Sequence, residues 1–169
     1  MRRLVICFCI FFLTSVAIGQ SPSLAWIHTV KNDPLRGTNS DVFVLAGNYL
    51  TSPRAPSPGF TPAIVVVCED GKVKQNYFSF GAVISDRHLE GRFDEKHVSI
   101  VGDDLSSDGQ SVLFARVDLA RVLKAHKVIV GALEYLANQV VMEFDIQDSS
   151  ELLQTCSRDR ILAYEFKKK

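Results

Sequence analysis

Apolar positions in this chain follow three patterns in succession. Leu4–Val16 is a nearly unbroken apolar run behind the basic head Met1-Arg2-Arg3. From Ala25 onward, short β-branched and aromatic runs alternate with clusters of Gly, Pro, Asn and Asp. A helical spacing of 3.6 residues shows only towards the C-terminal third.

The short runs read as strands bounded by turn residues. Ala25–Val30 is the first, and Lys31–Ser40, with Pro34, Gly37, Asn32 and Asn39, reads as a loop. Asp41–Ala46 is the second strand, ended by Gly47-Asn48. Thr51–Pro62 then holds Pro53, Pro56, Pro58, Pro62 and Gly59. Proline removes backbone donors, so this stretch is expected at the surface, outside any central strand. It is the expected inner boundary and the least ordered internal stretch, with Arg54 the first bond cut by a protease.

Ala63–Cys68 is a β-branched run of the kind buried on both faces. Asp70-Gly71 is a tight hairpin signal leading into Lys72–Phe80. Arg92–Asp94 and His97–Val101 read as one bent strand or two short ones. Asp108-Gly109 is a second turn, before Ser111–Ala115. Asp118 is placed to cap a helix over Leu119–Ala125, with Leu119, Val122 and Leu123 on one face. Lys127–Glu134 and Gln139–Ile146 form a strand pair, and Asp148-Ser149-Ser150-Glu151 opens a short helix through Leu152, Leu153 and Cys156. Many short strands and two short helices give an α+β class, mainly antiparallel β, with a β-sandwich-like domain.

The N-terminal pattern changes how the cysteines are read. A basic head, an apolar segment shorter than the roughly 20 residues of a membrane span, and small residues at Ala17 and Gly19 make a secretory signal peptide cleaved before Gln20. The expected division is 1–19 signal peptide, 20–62 N-terminal strands and Pro-rich loop, and 63–169 stapled core, with 20–169 folding as one domain. Export removes Cys7 and Cys9 and leaves Cys68 and Cys156, which in an oxidising compartment are expected to bond; two free buried thiols are the alternative. The bridge would close a loop of about 89 residues and restrict the unfolded chain by on the order of 4–5 kcal/mol.

Charge excludes some partners. The chain balances 19 Lys and Arg against 19 Asp and Glu; losing Arg2 and Arg3 leaves 17 against 19, a net charge of −2. That is no footprint for nucleic acid, and the single basic run, Lys167-Lys168-Lys169, reads as a solvated tail. No transmembrane segment is expected after signal cleavage.

No catalytic template fits the chain in residue type and spacing. Cys68 as a nucleophile needs a thiolate and a base, and His28, His88, His97 and His126 lie in no local signature of that kind. Asp104, Ser106, Asp108 and Gly109 match the opening of a calcium loop, but the position of the closing Glu is Ala115, so a polar hairpin tip is expected. His88, Asp94 and His97 lack zinc-ligand spacing. No cofactor or metal is expected.

The strand before Cys68 (Ala63–Glu69), Asp70-Gly71-Lys72, Gly91-Arg92-Phe93-Asp94, Val128-Ile129-Val130, Val141–Ile146 and Leu152-Leu153-Gln154-Thr155-Cys156 come in an order that resembles exported bacterial envelope proteins. Type VI secretion-associated accessory proteins are one branch of these. The likeness covers about residues 63–156; members carry Arg before the first cysteine, where this chain has Val67. The resemblance implies a disulfide-stapled β-rich domain and carries over no catalytic residue.

The expected function is an exported, non-enzymatic binding or accessory module of the bacterial cell envelope with a protein or envelope partner. The alternative is a small secreted hydrolase whose carboxylates meet only in the fold. A pocket with two carboxyls of raised pKa would favour the hydrolase, and an exposed apolar patch near Trp26, Tyr49 or Phe60 the binder. The mature protein is expected to begin at Gln20. The intact mass of the exported product tests this, and a retained Met1–Gly19 segment contradicts it.

Overall fold

The computed structural model describes residues 25–34, 37–54, 57–135, 138–159 and 161–163. Residues 1–24, where the leader and its cleavage point are expected, and Lys167–Lys169 lie outside them. The elements in chain order are β1 (Ile27–Asp33), β2 (Thr38–Ala46), β3 (Asn48–Thr51), β4 (Ala63–Glu69), β5 (Lys72–Ser79), β6 (His88–Phe93), β7 (Lys96–Val101), β8 (Asp104–Leu105), β9 (Ser111–Leu113), α1 (Arg116–Lys124), β10 (Lys127–Leu133), β11 (Gln139–Asp145) and α2 (Ser150–Thr155). Two 3-10 turns, Ser157–Asp159 and Ile161–Ala163, follow. Sheet A runs β1-β2-β4-β5-β9-β8 and sheet B runs β3-β11-β10-β6-β7, with every pairing antiparallel.

The two sheets face each other across one core. Phe43, Ile64, Val66, Phe78 and Val112 enter it from sheet A, and Leu89, Ile100, Val128, Val130, Met142 and Phe144 from sheet B. Leu119 and Val122 of α1 and Leu152 of α2 extend it. The fold is therefore the α+β, mainly antiparallel, sandwich-like domain that the strand pattern implies.

β4 is the strand buried on both faces. Ile64, Val66 and Cys68 point into the main core, while Ala63 and Val65 pack with Val42 in a second small cluster on the other side. Its hairpin to β5 turns on Asp70 (φ 51°) and Gly71 (φ 74°), both in the left-handed region that a two-residue turn demands.

The structure corrects the sequence reading at several points. Lys31–Ser40 is mostly strand, because Lys31, Asn32 and Asp33 pair with Ser40, Asn39 and Thr38. The Gly37 N–H donates to the Asp33 carbonyl at 2.8 Å and closes the hairpin ahead of Thr38. Both strands are exposed there, so their side chains are polar and resemble loop sequence while the backbone pairing continues. Gly47-Asn48 does not simply end a strand: the chain leaves sheet A at Ala46 and enters sheet B at Asn48. A Cβ on Gly47 would lie 2.5 Å from the Phe144 ring and 2.6 Å from the Glu143 carbonyl oxygen, so only glycine fits the crossing. Helix α1 starts earlier than expected, with Ala115 at its N-cap. Asp118 is not the cap; it sits buried inside the first turn, with Arg121 at 2.8 Å.

The described part of Thr51–Pro62 lies mostly at the surface, as expected, and is held there by buried prolines and hydrogen bonds. Pro53 and Pro62 are buried. The Arg54 N–H donates to buried Glu134 at 2.9 Å, the Ser57 N–H donates to the Gly81 carbonyl, and the Phe60 ring lies against Gly81. The prolines exclude a ladder, and side-chain and turn hydrogen bonds replace it. Ala55 and Pro56 lie outside the described residues.

Cys68 and Cys156 are bonded, with Cα atoms 5.8 Å apart. The bond joins the end of β4 to the C-cap of α2, and the following turn is stitched to β5. Arg158 N–H donates to the Gly71 carbonyl, and the Val73 N–H donates to Asp159 at 2.6 Å. Arg116 donates to the Val73 carbonyl at 2.7 Å and pairs with Asp159. Two side chains thus satisfy β5 backbone groups beyond the reach of β9. Cys68→Ser is expected to lower stability by roughly 2–5 kcal/mol, read from urea unfolding under non-reducing conditions. An unchanged midpoint would contradict a structural role for the bond.

Candidate functional site

The outer face of sheet A carries an apolar row that the sandwich core does not explain. Register places Ile27 opposite Val44, Val44 opposite Val65, Val65 opposite Tyr77, and Tyr77 opposite Leu113. Five strands thus align five apolar side chains over about 19 Å, at about 4.8 Å per strand. Ile27 is 48% exposed, whereas Val65, at the centre, is 7% exposed. A second row, Thr29–Val42–Val67–Gln75, runs beside it.

Two depressions flank Tyr77 and Gln75, which line both. One, about 500 Å³, also has Lys31, Asp33, Ser40, Val42, Val67 and Glu69 on its walls. The other, about 460 Å³, has Asp104, Leu105, Ser106, Asp108, Ser111 and Leu113. Lys31, Asp33 and Glu69 line the first, and Asp104 and Asp108 the second. Glu69 accepts from the Ser40 hydroxyl at 2.9 Å and pairs with Lys74 at 3.4 Å. Asp108 accepts from the Ser106 hydroxyl and the Gln110 N–H, which hold its carboxyl below the usual range. It is a fixed anion at neutral pH, not a proton donor. Burial, with Asp108 nearby, raises the Tyr77 hydroxyl above its ordinary value.

The outer face of sheet B is built differently. His97 and Ser99 both bond Glu90 at 3.1 Å, and Lys127 pairs with Glu143 at 3.0 Å. Charged pairs across strands suit a solvated face.

The residues singled out from sequence are dispersed. His88 bonds Asp86 at 2.8 Å at one end of the β6–β7 hairpin, and His97 pairs with Arg92 in the register towards the other end. Asp94 accepts the backbone N–H groups of His126 and Lys127. Among the described residues no cluster of His, Cys, Asp or Glu is arranged for a metal ion. Asp104, Ser106, Asp108 and Gly109 form the β8–β9 hairpin tip. Trp26, Tyr49 and Phe60 do not form the exposed patch considered for a binder. Trp26 and Tyr49 pack against the core, and Tyr49 donates to the Phe80 carbonyl at 2.6 Å. Asp118 is a carboxyl that burial pushes up, but it lines neither depression and is held by Arg121.

His28 forms the most organised titratable site. Its Nε2 meets Asp41 of β2 at 2.9 Å and its Nδ1 meets Glu151 of α2 at 2.8 Å, while the ring stacks on Phe43 at 4.3 Å. Donating from both nitrogens requires the protonated ring. The hydrogen bonds to Asp41 and then Glu151 raise its pKa. With both nitrogens engaged, this group is a clamp between β1, β2 and α2 rather than a base. The expected capping box is altered accordingly: Glu151 reaches His28, and Asp148 accepts the Ser150 N–H.

Comparison with known protein families, with curated proteins and with solved structures finds no match.

A histidine with a raised folded-state pKa stabilises fully below its unfolded value of about 6.5, and that contribution is lost as pH rises through the folded value. His28→Gln should therefore lower the melting temperature more at pH 5.5 than at pH 9, read by circular dichroism. An equal loss at both values would contradict the clamp.

Proposed function

We propose that this protein is an exported, non-enzymatic binding or accessory module of the bacterial cell envelope, and that its partner docks on the outer face of sheet A. The observation that carries the reading is the Ile27–Val44–Val65–Tyr77–Leu113 row, an apolar stripe between polar depressions on a sheet face. A contiguous apolar stripe rimmed by polar residues is the usual mark of a protein contact. The partner of that face is a polypeptide segment with apolar side chains beside a cationic one, because Asp104 and Asp108 line the depression next to Tyr77 and Leu113, while Glu69 on the other side is already paired with Lys74. β1 adds a second feature: among the described residues its seven residues pair with β2 alone, which leaves an edge that an extended segment can join.

Export is supported by the leader pattern and by the Cys68–Cys156 bond, a chemistry that persists in oxidising compartments. Among the described residues no helix is long and apolar enough to cross a membrane. The resemblance to envelope proteins over residues 63–156 belongs to the same proposal. It supplies a setting for the fold rather than a ligand.

A photo-crosslinking side chain at Leu113 or, separately, at Ile129 on the outer face of sheet B tests the reading in envelopes of the native host. Adducts are expected from Leu113 and not from Ile129. Ile27→Lys, at an exposed position, should weaken capture of the same adduct about tenfold, on the order of 1.4 kcal/mol. Equal adducts from both faces would contradict it.

A further inference from the structure

A separate cleft of about 410 Å³ lies between the β6–β7 turn and the last turn of α1. Its apolar walls are Phe93, Val98 and Ala125. Lys96 reaches it from the β-hairpin, and Arg121 and Lys124 from the helix. Its size falls within the roughly 300–1,000 Å³ typical of small-molecule pockets, where an apolar lining carries a few oriented polar groups.

The cations are not all explained by the helix. Lys and Arg in a last turn offset the negative end of the helix dipole, which accounts for Arg121 and Lys124. Lys96 belongs to another element, so its convergence on the same space needs a different reason. The carboxylate on the cleft, Asp94, already accepts the His126 N–H at 2.9 Å and the Lys127 N–H at 3.0 Å through one oxygen. Asp118, which is buried, takes Arg121 at 2.8 Å. Among the described residues neither Lys96 nor Lys124 belongs to an ion pair. Two exposed ammonium groups therefore stand over an apolar wall.

We infer that this cleft binds a single-chain amphiphile with an anionic head. The chain lies along Phe93, Val98 and Ala125, and the head meets Lys96 and Lys124. A neutral apolar ligand would leave Lys124 without a countercharge and Lys96 with only its attraction to the Asp94 carboxylate, and a cationic one would be repelled by both lysines and Arg121. The site lies on elements other than the apolar row of sheet A and does not depend on it.

Isothermal titration of the mature chain with sodium dodecanoate, kept below its micelle concentration, tests the proposal. Saturable binding near one per chain is expected, weakened at least tenfold in Lys96→Glu/Lys124→Glu and by raised salt. Both lysines are exposed, so the double variant should keep its circular dichroism spectrum, with a melting temperature lowered only by the small cost of a carboxylate at the negative end of α1. Val98→Asp is a second variant that should weaken binding through the apolar wall. Dodecyl phosphate in parallel distinguishes a carboxylate head from a phosphate head, and saturation by either supports the site. Dodecyltrimethylammonium should not saturate. The proposal is overturned if neither anion saturates, if the cation binds equally well, if the lysine variant binds unchanged, or if the chain binds only anionic vesicles.

Discussion

The double-sided burial of β4 is the constraint on which the rest of the structure depends. One face of the strand builds the sandwich core through Ile64, Val66 and Cys68, and the other anchors the small cluster of Ala63, Val65 and Val42. Its two edges are taken by β2 and β5. A strand enclosed in this way has one allowed register, because a slip of one residue would exchange its two apolar sets. Cys68 then makes that register the reference for the C-terminus. Through Cys156, α2 is covalently referred to the most buried strand, and Asp159 and Arg116 repeat the connection on β5 with hydrogen bonds.

Much of this was legible in the sequence where the local signal and the global packing agree. The β-branched run of β4, the Asp70-Gly71 turn, the β10–β11 pair and the cysteine pair all say locally what the fold requires. The misreadings fall where they diverge. Lys31–Asp33 and Thr38–Ser40 are polar because the hairpin projects into solvent, so composition hid a regular ladder. Gly47 reads as an end because nothing local shows that the Phe144 ring, far along the chain, closes over it and makes it a crossing point. Asp118 has the chemistry of a cap, yet burial and Arg121 assign it to the interior of the first turn.

The binding face was not legible, for a geometric reason. Ile27, Val44, Val65, Tyr77 and Leu113 are separated along the chain and meet only through four successive registers. In β4 the outer residues were also masked by the continuous apolar run, which gives no alternation by which to tell two faces apart. The His28 clamp was hidden in the same way: His28 and Glu151 lie 123 positions apart. Of the aromatic residues that stood out in sequence, Trp26 and Tyr49 pack against the core and Phe60 lies over Gly81, so none of them makes an exposed patch.

The cysteine bond also sets how the molecule carries tension. A pull on the chain ends runs from the N-terminus to Cys68, across the bond, and out from Cys156, so the polypeptide between the two cysteines bears no load while the bond is intact. What is loaded first is β1, which is held by its ladder to β2 and by the His28 clamp and whose Ile27 end faces the pull, so its ladder hydrogen bonds break in sequence rather than together. A protein fixed at its N-terminus to a moving surface would therefore give up a short tether early while its sandwich stayed whole. Reduction of one bond would place α1, most of sheet B and the second half of sheet A into the line of force.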